Sequence, residues 1–184
     1  MNSIKQIEVI YNNRLVGRLA LTREGLCAFE WLSSGFSISP FELPLRSGVF
    51  IAKPRPFEGG FGVFDDCLPD GWGLLILDRY LQQKGINPRA LTLLDRLALV
   101  GSSGRGALEF RPDHSVVTRQ DYADFEKLAL EAERILDSDE YRGKGIEEFQ
   151  DRGGSPGGAR PKIFARYEGK EWLVKFRAKR DPQN

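Results

Sequence analysis

DRGGSPGGARPKIFARYEGKEWLVKF, the stretch at residues 151–176, joins a glycine-rich segment to two runs of β-forming residues at 163–167 and 171–176. Four glycines surround Ser155, and the segment ends at Lys162. Glycine tolerates positive φ and lets backbone N–H groups converge on phosphate oxygens. This order predicts a nucleotide-phosphate loop followed by a β-hairpin.

Two lysines flank the predicted hairpin. Lys162 closes the glycine segment, and Lys175 lies near the end of the second run. A strand lysine holds the α- and β-phosphates of ATP in protein kinases. Lys175 alternates with Val174 and Phe176 on an otherwise apolar strand, which makes it the stronger candidate for this role. Lys162 is the weaker candidate, because a simple surface charge would explain it equally well.

The glycine segment departs from the two best-known phosphate-loop patterns. A Walker A loop requires Gly-Lys-Ser/Thr, whereas Lys162 lies between Pro161 and Ile163, and no Gly-x-Gly-x-x-Gly is present. On composition alone, a Gly/Pro-rich segment is more often a linker or turn. If the segment does bind phosphate, the candidate donors are three backbone N–H groups and one side chain, at Gly157, Gly158, Ala159 and Arg160.

A resemblance to a known family favours the phosphate-loop interpretation. The sequence GGSPGGARPK at 153–162 resembles the glycine-rich loop of HipA-family serine/threonine kinases, the toxins of bacterial type II toxin–antitoxin pairs. The sequences LPDGWG at 68–73, LDRL at 94–97 and VGSSGRGALEFR at 100–111 resemble the N-terminal subdomain of the same family. These blocks occur in family order across most of the chain.

The resemblance implies an α+β fold in two parts. Residues 1–113 would form a small β-rich N-terminal subdomain with packed helices. Residues 114–184 would form linker helices and the start of a protein-kinase-like N-lobe with its Gly-rich loop. ATP and Mg²⁺ are the implied ligands of the complete kinase.

The same resemblance assigns roles to two residues. Lys175 aligns with the ATP-binding lysine of the family. Ser155, three residues before Gly158, matches an autophosphorylation site. A phosphate on Ser155 would add about two negative charges where the phosphates of the nucleotide belong, so the loop could not close on ATP.

The groups that perform phosphoryl transfer are not expected in this chain. Such transfer needs an aspartate near the attacking hydroxyl and further side chains that hold Mg²⁺, and in this fold these follow the lysine strand. The acids after Ser155 are Glu168, Glu171 and Asp181, without any His-x-x-Asp or Asp-Phe-Gly sequence. We therefore predict no catalytic residue and no metal ligand, and we expect the chain to be inactive alone. It would be a truncated form, the product of a disrupted gene or one subunit of a split system.

The partners implied are a HipB-like DNA-binding antitoxin and a protein substrate such as an aminoacyl-tRNA synthetase, with DNA contacted only indirectly. An alternative is a stand-alone, non-enzymatic interaction module that masks a separately encoded HipA-like kinase core. Ser155 and Lys175 favour the first interpretation, because a masking module would need neither.

Composition and charge exclude several other classes. The 184 residues carry 27 Lys and Arg against 26 Asp and Glu, so the formal net charge of +1 gives no reason to expect broad nucleic-acid or membrane binding. No apolar run is long enough to cross a bilayer, and the N-terminus lacks a signal-peptide layout. We expect a cytoplasmic protein with Cys27 and Cys67 as reduced thiols. His114, the only histidine, is assigned no role.

Local patterns predict the order of the elements. A hairpin at 4–10 and 15–21 would turn at Asn12 and Asn13, and a third strand would follow at 26–32. A helix is expected at 69–84. The remaining expectations are a helix from Asn87 and Pro88 to Gly101, a strand at 107–111, a helix capped at Thr118 that buries Tyr122, Phe125, Leu128, Ala129, Ala132, Ile135 and Leu136, and a helix at 146–149. The expected core residues of the N-terminal subdomain are Leu75, Ile76, Leu94 and Leu97.

Overall fold

A computed structural model of the chain describes residues 3–33, 35–115, 124–139, 141–152 and 157–177. The chain divides into two compact units. The first unit comprises Met1–Leu68 and Arg89–Ser115, and the second comprises Pro69–Pro88 and Val116–Asn184. Helices and strands occur in both units, in agreement with the predicted α+β class.

The described strands form two antiparallel sheets. The strands are β1 (Gln6–Tyr11), β2 (Arg14–Leu21), β3 (Cys27–Trp31), β4 (Val49–Ile51), β5 (Leu108–Arg111), β6 (Lys162–Tyr167) and β7 (Lys170–Lys175). The first five pair in the order β4-β3-β2-β1-β5, and β6 pairs with β7. The described helices are α1 (Gly62–Asp65), α2 (Gly71–Gln83), α3 (Leu93–Val100), α4 (Phe125–Asp137) and α5 (Gly145–Arg152), with a 3-10 turn at Pro88–Ala90.

Both predicted hairpins are confirmed. Asn12 and Asn13 have φ of 48° and 59° between β1 and β2, and Glu168 and Gly169 have φ of 50° and 73° between β6 and β7. Two consecutive residues with positive φ are characteristic of the two-residue turn that matches the twist of paired strands.

The core of the first unit is aromatic and aliphatic. Phe29 and Phe110 are fully buried on the sheet, and Phe64 of α1 packs between them with ring-centroid distances of 5.5 and 6.4 Å. Leu94 and Leu97 of α3 are fully buried in the same cluster, which confirms them as core residues.

The predicted start of α3 is wrong. Pro88–Ala90 forms only a 3-10 turn, and α3 begins at Leu93 with Thr92 as its N-cap. The Thr92 hydroxyl accepts a bond from the Asp95 N–H at 3.2 Å, and the Asp95 carboxylate accepts one from the Thr92 N–H at 2.9 Å. This reciprocal capping box, and not Asn87, therefore fixes the first turn of the helix. The expected stop at Gly101 is confirmed.

The second unit has its own core, into which α2 packs. Trp72 and Ile76 of α2 lie with residues of α4, α5 and β6, and the Trp72 and Phe149 rings meet edge to face at 5.0 Å. Leu75 is only partly buried there. The prediction that α2 and α3 share one core within residues 1–113 is wrong, because the two helices lie in different units. An apolar period of 3.6 residues predicts that one face of a helix is buried, but it does not predict which other elements cover that face.

The structure gives the N-cap and the buried face of α4. Asp124 is its N-cap and accepts a bond from the Lys127 N–H at 3.0 Å, whereas Thr118, Asp121 and Tyr122 lie outside the described residues. Burial of Leu128, Ala129, Ala132 and Ile135 was expected, and all but the partly buried Ala129 are fully buried. Phe125 and Leu136, expected on the same face, are exposed. Helix α5 is longer than predicted.

Within the described part of the chain, no helix is both long enough and apolar enough to span a bilayer.

Candidate functional site

The two candidate lysines are cross-strand partners. Lys162 begins β6 and Lys175 ends β7, and their Cα atoms are directly paired in the register of the hairpin. Residues that face each other in an antiparallel pair project from the same face of the sheet. Both ammonium groups therefore extend from one face at the glycine-loop end of the hairpin. Lys162 is 4% exposed, whereas Lys175 is exposed.

Lys162 is bonded to the backbone of the glycine segment. Its Nζ donates to the carbonyl oxygen of Gly157 at 2.6 Å and to that of Gly158 at 3.0 Å. Burial lowers the pKa of Lys162, the nearby charge of Lys175 lowers it further, and Asp70 opposes both effects. The alternative of a simple surface charge is therefore wrong for Lys162.

Asp70 links the glycine segment to α2. It occupies the N-cap position of α2, but its side chain makes no capping bond to that helix. Its Oδ1 accepts instead from the N–H of Gly158 at 3.0 Å, and the N–H of Trp72 donates to the carbonyl oxygen of Gly158 at 3.1 Å. Both backbone polar atoms of Gly158 are thus bonded by the first residues of α2.

Gly71 permits this close approach. Its φ is +44°, and a Cβ added there would lie 2.6 Å from the carbonyl carbon and 2.7 Å from the oxygen of Gly158. Such distances are well inside van der Waals contact, so a larger residue would push the loop away. Gly158 itself has φ of +98°.

A further bond connects the loop with the end of the hairpin. The N–H of Phe176 donates to the carbonyl oxygen of Pro161 at 2.8 Å. The side chain of Phe176 is buried in the core of the second unit. Phe176, which follows Lys175, is therefore held both by this backbone bond and by its buried side chain. The strand lysine therefore emerges from a fixed backbone.

The structure brings together most of the residues expected at the loop. Gly157, Gly158 and Lys162 are in direct contact, and Lys175 is the strand partner of Lys162. Ala159 is the next residue of the loop, and Ser155 lies outside the described residues. The N–H of Gly158 was expected to donate to phosphate, but here it donates to Asp70.

Sequence reasoning missed Asp70 and Gly71 as residues of this site. They were noted only as part of the LPDGWG sequence of the N-terminal subdomain. The available signal was an Asp-Gly pair immediately before a helix. Such a pair is ordinarily interpreted as a turn or an N-cap.

The two cysteines and the histidine lie outside the glycine loop. Cys27 and Cys67 are free thiols, and burial raises the pKa of each to about 11, with Asp66 adding to the effect at Cys67. The N–H of His114 donates to the carbonyl oxygen of Ala98. Across the residues that the structure describes, no group of three or more His, Cys, Asp or Glu side chains is arranged to hold a metal.

Comparison with protein families identifies the family to which the chain belongs. The family model for the HipA N-terminal domain matches residues 7–111, which is more than half of the 184 residues. The chain therefore belongs to the HipA family, to which it is related through its N-terminal region. No curated protein matches its sequence. The matched segment runs from β1 to β5 and includes Asp70 and Gly71, but it ends before the glycine loop.

Proposed function

We propose that this chain supplies the ATP phosphate loop and the antitoxin-binding surface of a HipA-like serine/threonine protein kinase toxin of a type II toxin–antitoxin system. One observation carries the proposal. The carbonyls of Gly157 and Gly158 accept bonds from the buried Lys162, and the exposed Lys175 extends from the same face of the adjoining hairpin.

The two lysines would have different roles in binding a polyphosphate. An ammonium group is a compact charge with several donors, well suited to phosphate oxygens. Lys162 donates hydrogen bonds to two loop carbonyls and would so stabilise the conformation of the loop. Lys175 is exposed and would contact the α- and β-phosphates of ATP, while the amides of Gly157 and Ala159 contribute further donors.

The rest of the catalytic apparatus would come from a kinase lobe outside this chain. That lobe would provide the aspartate that positions the attacking hydroxyl and the ligands for Mg²⁺. The complex would act in the cytoplasm on a protein substrate such as an aminoacyl-tRNA synthetase, and a HipB-like antitoxin would bring it to DNA indirectly.

Phosphate transfer to Ser155 tests the kinase role. Radiolabelled ATP is supplied to the chain alone, to the chain with a HipA-like kinase lobe, and to Ser155→Ala with that lobe. Label located by mass spectrometry on Ser155 is expected only in the second sample. Ser47→Ala, which removes an exposed hydroxyl of the first unit, should be labelled like the parent chain. Label on the isolated chain, or label that survives Ser155→Ala, would contradict the proposal.

Both the antitoxin-binding surface and the alternative of a masking module depend on a different observation. Val49 and Ile51 are 55% and 52% exposed on the same face of β4, which is an edge strand, and Phe41 is fully exposed. Exposed apolar side chains beside a sheet edge are typical of partner-binding surfaces. This surface would serve an antitoxin in the first proposal and a separate kinase core in the second.

Binding experiments separate the two functions. Purified HipB-like antitoxin and purified HipA-like kinase core are each titrated with the parent chain and with Val49→Lys/Ile51→Lys. Loss of antitoxin binding in the variant supports the toxin proposal. Binding to the kinase core that blocks its activity and is lost in the variant supports the masking module.

A further inference from the structure

Gly158 is bonded through both of its backbone polar atoms. Its N–H is bonded to Asp70, and its carbonyl oxygen accepts from both the Trp72 N–H and the Lys162 ammonium. Gly71 lies so close that only hydrogen fits in place of a side chain. The bond between Asp70 and Gly158 joins positions 88 residues apart in sequence, and the carbonyl oxygen of Gly158 has two donors.

We propose that Asp70 is a positioning residue for the glycine loop. Its carboxylate holds Gly158 against the first turn of α2 and thereby fixes the loop backbone over Lys162. A fixed loop presents its remaining amides to a phosphate without first having to become ordered, and such preorganisation increases affinity. The nucleotide part of this inference rests on the proposed function, whereas the loop contact does not.

Helix capping does not account for Asp70. An aspartate at an N-cap usually accepts a bond from the second or third N–H of its own helix, and the side chain of Asp70 makes no such bond. Its carboxylate lies beside the loop, since a Cβ on Gly157 would be 3.4 Å from Oδ2. Asp70 also lies near enough to Lys162 to raise the pKa of that lysine against the effect of burial. The carboxylate thus supports the loop through a hydrogen bond and through attraction to the cation beneath it.

Amide exchange measured by NMR on the full chain tests the contact without nucleotide. Asp70→Ala removes the acceptor and should speed exchange of the Gly158 amide about tenfold, since bonds to charged acceptors are among the stronger ones. Asp70→Asn keeps an acceptor oxygen and should restore most of the protection. Glu133→Ala, which removes an exposed carboxylate from α4, should leave this amide unchanged. Equal exchange in the parent chain and Asp70→Ala would overturn the proposal.

Titration of the same four proteins with ATP tests the functional part. Asp70→Ala should weaken the ATP-induced shifts at Ala159 and Lys175 by about tenfold in affinity, with Asp70→Asn close to the parent chain. All four proteins are titrated well below their thermal midpoints, which separates positioning from a general loss of stability. Tighter ATP binding by Asp70→Ala would overturn the proposal, because Asp70 would then compete with phosphate. If the parent chain fails to bind ATP while Gly158 exchange still responds to Asp70→Ala, the nucleotide function fails and the positioning role stands.

Discussion

Lys162 and Lys175 are opposite each other in the β6–β7 ladder, yet only Lys162 is buried, with its ammonium bonded to the carbonyls of Gly157 and Gly158. Two cations at one end of a hairpin repel each other, and this repulsion contributes to the lowered pKa of Lys162 after burial itself. The loop carbonyls offset that cost for Lys162. An incoming anion would relieve the repulsion further, which is an electrostatic reason for a phosphate to bind here.

Lys175→Ala should weaken ATP binding at least about tenfold, because it removes a charged donor to phosphate. In the complex with a kinase lobe it should abolish phosphoryl transfer. The thermal midpoint should not change, since the side chain is exposed. Lys170→Ala, at the other end of the same strand, is the matched control and should bind ATP normally.

Lys162→Met should act mainly on stability. Methionine keeps the apolar stem but removes the bonds to two loop carbonyls, so the free energy of unfolding should fall by about 1–3 kcal/mol. Nucleotide affinity should fall less than in Lys175→Ala. Chemical denaturation and ATP titration of both variants measure this difference. If Lys162→Met loses as much affinity as Lys175→Ala, or more, the assignment of Lys175 as the main phosphate ligand is wrong.

Much of the local structure could be predicted because its causes are local. Asn12 and Asn13 predict the first hairpin through their tolerance of positive φ, and the apolar spacing of 69–84 predicts α2. The start of α3 was misjudged because Asn87–Pro88 and Thr92–Asp95 both match helix-start patterns. The reciprocal bonds of the capping box form between Thr92 and Asp95, and α3 begins there.

The site was only partly predictable because its decisive contacts are long-range. The glycines and lysines of 157–175 are close in sequence and could be grouped from the sequence. Asp70 is 88 residues from Gly158, and nothing in the local pattern distinguishes it from an ordinary N-cap. The same limit applies to Ile76, whose burial was expected but whose neighbours in the second unit were not.

Leu94→Ala should lower the free energy of unfolding by about 2–5 kcal/mol, because the side chain is fully buried in the first core and its removal leaves a cavity. Leu45→Ala, at a 45% exposed position in the same unit, should cost less than about 0.5 kcal/mol. Denaturant titration of the two variants provides the comparison. A loss below about 0.5 kcal/mol for Leu94→Ala would show that α3 contributes little to this core.

Asp95→Asn should lower stability at neutral pH but not in acid. Burial raises the pKa of Asp95, but hydrogen bonds from the Ile4 N–H and from the Thr92 hydroxyl and N–H outweigh it, so the pKa lies below its ordinary value of 3.8. A carboxyl group with a depressed pKa stabilises the folded state fully above its unfolded-state value, and that contribution is lost as the pH falls through the folded-state value.

The difference in unfolding free energy between the parent chain and Asp95→Asn should therefore be about 0.5–2 kcal/mol at pH 7, the usual range for a lost capping interaction. It should shrink as denaturant titrations are repeated below pH 3.8, the ordinary value of the carboxyl group. Asp66→Asn, an exposed acid of the same unit, should change stability by less than about 0.5 kcal/mol at pH 7. A difference for Asp95→Asn that stays constant into acid would mean that the shape of the capping box stabilises α3, and that the negative charge of Asp95 does not.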